Sequence, residues 1–185
     1  IAKATGQEFN KVGAVASELA RQGKTQAEVV RIARDAMIMG NIGEIEPQEG
    51  VKLLSSVLAQ FNLTAEQSTA VIDRLNNVSN KNAVSFQALA EAAVQAGAAF
   101  KTTGGSLDEL FAITTGVSKA TQFGGPRIGR AIRQMFTRLY SPETSRAIEG
   151  YGFKTRNEYG GLRAPYEVLG EIADKWKTLG SYQKE

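Results

Sequence analysis

The sequence predicts an all-α fold, a compact bundle of short helices that each begin at a capping residue. Three capping boxes mark helix starts, "TQAE" from Thr25, "TAEQ" from Thr64 and "SLDE" from Ser106. In each box a hydroxyl accepts a hydrogen bond from the N3 amide, and the N3 side chain returns to the N-cap amide. Apolar residues recur at the helical period between the caps, and glycines and prolines interrupt the pattern. Strand content is therefore expected to be near nil.

The early helices have clear ends as well as clear starts. The helix that follows Thr25 is expected to close at Gly40 and Gly43, and Pro47 is placed to open the next helix at its first turn. In that next helix, "VKLLSSVLAQF" puts its apolar residues on one face at 100° per residue. Each helix is about 12–18 residues long, too short to be stable alone, so the helices must pack on each other.

The middle of the chain repeats a spacing of helix starts. Thr64, Ser85 and Ser106 stand 21 residues apart, and Ser85 is predicted to be an N-cap without a full box. Between Ser85 and Ser106 the helix "ALAEAAVQAGAAF" is rich in alanine. Its Ala93 and Gly97, four residues apart, predict a close approach to a neighbouring helix, as small residues at this spacing allow in general.

The stretch "GGPRIGRAIRQMFTRL", which begins at Gly124, comes within two residues of a nucleotide-binding loop. Arg130 and Ala131 stand where that loop needs its Lys and its Ser or Thr. The residues before the stretch have a helical pattern, whereas the loop needs a preceding strand. Pro126 instead suits the first turn of a helix. We interpret the stretch as a glycine hinge that leads into an amphipathic helix.

A helical wheel of this segment separates apolar from basic residues. The apolar arc holds Ile128, Ala131, Ile132, Met135, Phe136 and Leu139, and the opposite arc holds Arg127, Arg130, Arg133 and Arg138. Two interpretations remain open. The arginines form a solvated face that pairs with Glu143 and other acids, or they contact an acidic partner, DNA phosphate or lipid headgroups. Aromatic residues for base stacking do not alternate with these arginines, which weakens the case for single strands.

Composition disfavours several kinds of chemistry. There is no Cys and no His, so thiolate and imidazole metal sites and Ser–His or Cys–His pairs are absent. No apolar run approaches the roughly 20 residues of a membrane span. Glu44, Glu46, Glu49 and Glu91 show no spacing that selects a catalytic pair across a cleft. We expect no catalytic residue, no cofactor, no metal and no small-molecule substrate.

Charge is unevenly placed along the chain, whose formal net charge is +3. Residues 1–100 hold 9 basic and 10 acidic side chains, and residues 101–185 hold 13 and 9. Near the C-terminus "YGFKTRNEYGGLRAP" predicts a small two-stranded hairpin near 153–163, or an irregular loop. The last helix is expected to run from Pro165 through Trp176 to Leu179.

Taken in order, the residues from about Glu46 to Leu179 resemble the conserved core of phage tail tape measure proteins of long-tailed phages and prophages. The segments that carry the resemblance run from "GVKLLSSVLAQF" to "ITTGVSKA", followed by "GGPRIGRAIRQMFTRLYSP" and "LRAPYEVLGEIADKW". The matching positions are Leu58, Phe61, Leu63, Leu75, Val78, Ser85, Leu89, Ala96, Gly97, Gly105, Ser106, Leu107, Glu109, Gly125, Gly129, Ala131, Arg133, Arg138, Leu139 and Pro142.

The resemblance implies a structural role in the tail. A tape measure protein fills the tail lumen in several copies, sets tail length during assembly in the host cytoplasm, and leaves before DNA ejection. Its partners would be tail tube, tail tip and tail assembly chaperone proteins. Some relatives carry peptidoglycan-cleaving domains, and none is recognisable here. The alternative is a helical module that binds nucleic acid or membrane through its arginines.

The resemblance also suggests a domain organisation. Residues 1–45 match less well and are expected to be a variable helical flank, whereas residues 46–182 form the tape-measure core. The chain opens on "IAKATGQEF" without an initiator Met. We therefore interpret it as a piece of a longer chain whose extended measuring coil lies elsewhere.

Overall fold

The helices follow one another through short connections in the computed structural model, which describes residues 1–6, 8–176 and 178. No strand occurs in this part of the chain, so the all-α prediction is confirmed. A short 3-10 turn, Ala65–Gln67, precedes the fifth helix. The helices are α1 (Ala2–Thr5), α2 (Phe9–Arg21), α3 (Gln26–Gly43), α4 (Pro47–Gln60), α5 (Ser68–Lys81), α6 (Phe86–Thr102), α7 (Leu107–Thr121), α8 (Gly125–Leu139), α9 (Pro142–Glu149) and α10 (Pro165–Trp176).

All three predicted capping boxes form. The Thr25 amide donates to the Glu28 carboxylate at 2.8 Å, and the Ser106 amide donates to the Glu109 carboxylate at 2.7 Å. The hydrogen bonds from Thr25 hold the pKa of Glu28 below its ordinary value. The third box, at Thr64, opens the 3-10 turn rather than α5 directly. Helix starts were predictable because a cap is a local interaction.

Removal of one of these caps gives the first testable prediction. The Ser106 hydroxyl accepts the Glu109 amide at 3.3 Å at the start of α7. Ser106→Ala should lower the free energy of unfolding by about 1 kcal/mol, because the orphan amide loses its acceptor. Urea denaturation followed by circular dichroism measures it. Ser106→Asp keeps an acceptor and should stay close to the natural protein. Equal stability of the alanine variant would contradict the cap.

Helix α6 lies at the centre of the fold. It contacts α4, α5, α7 and α8, and its contact with α8 is the most extensive between any two helices described. Gly125 of α8 lies against Ala88, and Gly129 lies against Ala92. Further along, the rings of Phe100 and Phe136 meet edge to face, 5.0 Å apart. The contacting residues rise in number along both helices, so α6 and α8 run parallel. Helix α7, which connects them in the chain, runs back in the opposite direction.

The fully buried side chains belong to many helices rather than to one local cluster. The largest of them are Phe100, Phe111, Phe136, Leu19, Ile32, Met37, Met39, Leu54, Leu75, Leu89, Leu110 and Ile128. They come from α2 through α8 and form one continuous apolar cluster. Burial of this cluster is the main favourable contribution to folding, because no helix of this length is stable alone.

The predicted close approach at Gly97 is confirmed, and its neighbour is the end of α4. A Cβ atom on Gly97 would meet the side chains of Gln60 and Phe61. The Gln60 amide also donates to the carbonyl of Val94 at 3.0 Å. Ala93 is fully buried on the same helix. Small residues at this four-residue spacing therefore serve packing between helices.

A buried carboxylate joins α3 to the start of α5, a contact that no pattern in the sequence predicts. Asp35 is 2% exposed, and its carboxylate accepts hydrogen bonds from the hydroxyls of Ser68 and Thr69. Both hydroxyls belong to the first turn of α5, where the helix dipole favours negative charge. Ser68 also donates to the carbonyl of Ala65. Asp35 thus stabilises a helix start that is more than thirty residues away.

Asp35→Asn should lower the free energy of unfolding by about 1–2 kcal/mol, because hydrogen bonds to a charged acceptor are stronger than those to an amide. Chemical denaturation at neutral pH measures the change. The matched control is Asp73→Asn, an exposed carboxylate on α5 itself, which should stay within about 0.5 kcal/mol. If both variants had the same stability as the natural protein, Asp35 would have no such role.

The segment before α10 corrects the predicted hairpin. Only one antiparallel bridge, Arg156 with Leu162, joins its two sides, so the segment is a tight loop rather than a pair of strands. Asn157 accounts for the short pairing, because its side-chain oxygen accepts hydrogen bonds from the amides of Tyr159 and Gly161. These amides are then not free to extend the ladder. The last helix begins at Pro165 as predicted and is described to Trp176. The predicted end at Leu179 lies outside the described residues.

Arg163 links this loop to α10 and to Tyr140, which follows α8. Its guanidinium binds both oxygens of Glu171, at 2.9 and 2.6 Å, and these hydrogen bonds lower the pKa of that carboxyl. The Tyr140 hydroxyl, just after α8, donates to the carbonyl of Arg163 at 2.9 Å. Burial raises the pKa of Tyr140 to about 12. Phe153 and Val168 are buried beneath the loop and α10.

Candidate interaction surface on helix α8

The glycine-rich stretch begins a helix, as predicted. Gly124 is the N-cap of α8, with extended backbone, and Pro126 lies in the first turn. The preceding element is the helix α7, so the strand that a phosphate-binding loop requires is replaced by a helix. The structure therefore supports the interpretation of this stretch as the start of a helix rather than as a phosphate-binding loop.

The glycines of this stretch have a packing role that the sequence did not reveal. A Cβ atom on Gly125 would lie 2.4 Å from the carbonyl oxygen of Ala88, and one on Gly129 would lie 2.6 Å from that of Ala92. Contacts this short with backbone atoms cannot be relieved by a side-chain rotation. Gly129, the second glycine of the incomplete nucleotide-loop pattern, is thus one of two glycines that let α8 approach α6, whereas an added Cβ atom on Gly124 would have no close neighbour.

The predicted apolar arc of α8 is correct in part. Ile128, Ile132, Phe136 and Leu139 are buried, but Ala131 and Met135 are exposed, Met135 to 38%. Because α8 approaches α6 through Gly125 and Gly129, the buried side of α8 lies nearer to these glycines than the helical wheel predicts. Ala131 and Met135, on the other flank of the arc, are thereby left in solvent.

All four predicted arginines, which we call the arginine face, point outward: Arg127, Arg130, Arg133 and Arg138 are exposed. Within residues 1–6, 8–176 and 178, none of them forms an ion pair with a carboxylate, so the pairing with Glu143 is not found. Arg127 alone has a close partner, since its guanidinium lies 3.5 Å from the centre of the Phe123 ring.

Neutral polar side chains complete the surface. Gln134 and Thr137 are exposed between the arginines, and α8 itself contains no acidic residue. A shallow depression of about 240 Å³ is lined by Gln134 and Thr137 together with Arg133 and Arg138. The surface can donate several hydrogen bonds to one anion, because guanidinium, amide and hydroxyl groups are all donors.

The acidic residues considered as catalytic candidates lie apart, at helix ends, in ion pairs or, for Glu91, in a hydrogen bond within α6. Glu44 ends α3 with a left-handed backbone, φ 52°, and Glu46 pairs with Lys11 at 3.3 Å. Glu49 is in the first turn of α4, near Lys52. Glu91 accepts a hydrogen bond from the neighbouring side chain of Gln87 at 2.9 Å. Among the described residues no group of three His, Cys, Asp or Glu side chains is suited to hold a metal ion.

A cavity of about 550 Å³ lies between α3 and α5. Arg31, Arg34 and Thr69 line it, and the Asp35 carboxylate forms part of its wall. The hydroxyls of Ser68 and Thr69 already donate to this carboxylate, so Asp35 has a structural role here. None of the described helices is long and apolar enough to cross a bilayer.

A protein-family model described as phage-related minor tail protein matches residues 1–185. No solved structure matches the chain.

Proposed function

We propose that this chain, which belongs to the family of phage-related minor tail proteins, is part of a tape measure protein that sets tail length. The family assigns the chain a structural role in the virion tail. The tape measure role goes further, and it places the protein in the tail lumen in several copies. There it contacts tail tube and tail tip proteins, and a tail assembly chaperone holds it beforehand in the host cytoplasm. It leaves the tail before DNA ejection.

The observation that carries this proposal is the structural importance of the positions that resemble tape measure proteins. Ser85 and Ser106 are N-caps, and Gly97, Gly125 and Gly129 are the buried glycines at which helices approach closely. Most of the apolar matching positions are buried in the core, among them Leu58, Phe61, Leu75, Leu89 and Leu107. The resemblance therefore follows the features that specify this fold, and a shared fold supports a shared role in the tail.

The fold itself restricts how the chain takes part in measuring length. A continuous helix extends about 1.5 Å per residue, and the breaks at the caps prevent this chain from forming one rod. We infer that the described helices are a folded core to which the flank of residues 1–45 contributes α2 and α3, and that extended coil in the same polypeptide spans the tail. The folded core then serves as a docking unit at a fixed position along the tail.

Tail length in electron micrographs tests the proposal. An in-frame insertion of 60 residues of helical coil beside this region, in the gene that encodes it, should lengthen the tails by about 90 Å. A 60-residue insertion in a tail gene of another family should leave length unchanged. Tails of natural length from the first insertion, in virions that contain the enlarged protein, would reject a measuring role and leave another minor tail function.

A further inference from the structure

No carboxylate in the part of the chain that the structure describes pairs with the arginine face of α8, and we propose that this face binds the phosphate backbone of duplex DNA without sequence preference. This binding is separate from the measuring role and does not depend on it. Three observations support it: the charge of the face, its shape, and the position of the apolar residues of α8.

The charge of the face is unbalanced by the protein itself. Several exposed cations on this chain have carboxylate partners: Arg21 lies 2.9 Å from Glu18, and Arg74 lies 3.5 Å from Asp108. The four guanidiniums of the arginine face have none, although they share one side of a 15-residue helix. Like charges held this close repel one another, and the repulsion is relieved best by a dense polyanion. Duplex DNA carries one charge per roughly 1.7 Å of axis, a density that few protein surfaces reach.

The shape of the face suits phosphate groups. From Arg127 to Arg138 the helix rises about 16 Å, so several phosphates of one strand lie within reach. The depression between Arg133 and Arg138 adds the Gln134 amide and the Thr137 hydroxyl as donors. Arginine, glutamine and threonine side chains all donate to phosphate oxygens in protein–DNA complexes. Such contacts fix position without reading sequence.

The apolar residues of α8 argue against a membrane. An interfacial helix must bury its apolar face among the lipids, but Ile128, Ile132 and Phe136 are already buried in the core. Single strands are also disfavoured, because binding them relies on exposed aromatic rings. The ring of Phe123, the nearest aromatic to the face, is covered by Arg127. Duplex DNA needs neither an exposed apolar face nor a stacking platform.

Fluorescence anisotropy with a labelled 20-base-pair duplex tests the proposal on the 185-residue chain. With four phosphates neutralised, log K should fall against log salt with a slope of about −3.6, an affinity loss of about 150-fold between 50 and 200 mM salt. Changing all four arginines of the face to Gln should weaken binding at 50 mM salt at least tenfold and remove most of the slope. Circular dichroism should show the same helix content for this variant, because the changed side chains are exposed.

The matched control changes four cations that the structure shows in ion pairs, Arg21, Lys24, Lys52 and Arg74, to Gln. Both variants lose four positive charges, from +3 to −1. The control should bind DNA with an affinity and slope close to those of the natural chain. Equal losses in the two variants would overturn the proposal, because net charge alone would then explain binding.

Two competitors decide between anionic partners. Vesicles of phosphatidylserine and phosphatidylcholine should bind more weakly than the duplex at equal anionic charge. Polyglutamate should displace the labelled duplex less well than unlabelled duplex does. Tighter binding to vesicles would assign the face to lipid, and equal displacement by polyglutamate would assign it to an acidic protein. Either result, or no binding of DNA at 50 mM salt, would overturn the proposal.

Discussion

Replacing both Gly125 and Gly129 with alanine is expected to destabilise the protein by about 3–4 kcal/mol. Each added methyl group would lie within 2.8 Å of backbone atoms of Ala88 or Ala92, so the two helices must move apart. Overpacking of this kind costs about 1–3 kcal/mol per site. The two costs are partly shared, because a single shift of α8 relieves both contacts. Urea denaturation measures the loss.

Helix propensity alone predicts that replacing a helical glycine with alanine raises the free energy of unfolding. A glycine without close contacts is therefore an informative control. Gly116, in α7, is exposed and has nothing within 4 Å of an added Cβ atom. Gly116→Ala should therefore raise the free energy of unfolding by about 0.5–1 kcal/mol, since glycine is costly within a helix. If the double variant of α8 were also more stable than the natural protein, the close parallel packing of α6 and α8 would be wrong.

Phe136→Ala should cost about 3–5 kcal/mol, the usual range for removal of a fully buried aromatic ring. Phe136 is completely buried, meets Phe100 edge to face at 5.0 Å, and stacks on Tyr140 at 6.5 Å. Its ring joins α6, α8 and the segment that holds α10, so its loss affects three parts of the fold. Thermal unfolding should show a fall in Tm of about 6–20 °C, at 2–4 °C per kcal/mol for a chain of this size.

The matched control is Phe9→Ala, because the Phe9 side chain is 81% exposed. It should change stability by no more than about 0.5 kcal/mol. Similar losses in the two variants would show that Phe136 is not at the centre of a shared core.

The helix starts and the class of fold were predictable because they depend on local patterns. A hydroxyl residue and its partner three residues later define a capping box at Thr25 or Ser106 without any knowledge of the tertiary structure. Gly97 was also recognisable, since it stands within an alanine-rich helix and has no turn signal beside it. The packing partner of Gly97 could not be predicted, because it lies on a different helix.

The contacts that were missed join residues distant in the chain. Gly125 follows another glycine and precedes Pro126, so the sequence there indicates a turn before a helix, and Gly129 was considered only as the second glycine of an incomplete nucleotide-loop pattern that begins at Gly124. Only the position of α6 shows that these glycines are packing residues. Asp35 was missed for the same reason: the hydroxyls that it binds are more than thirty residues away.

The position of the arginine face could be predicted from the sequence, but its partners could not. Its four arginines were found from helical periodicity, and all are exposed as the wheel predicts. Whether carboxylates pair with them could not be known, because such pairs depend on neighbouring helices. The structure shows the face without such pairs in the described residues and with its apolar side buried. The absence of such pairs there, together with the burial of Ile128, Ile132 and Phe136, favours a polyanion over a membrane, although Ala131 and Met135 are exposed.

Small-angle X-ray scattering of the dilute, monomeric chain tests the central claim, that these short capped helices share one core. A compact chain of 185 residues should have a radius of gyration of about 16 Å. A single straight helix of the same length would extend about 280 Å and give a radius of gyration of about 80 Å. A value near 16 Å is the result that we predict, and a rod-like profile would contradict the account.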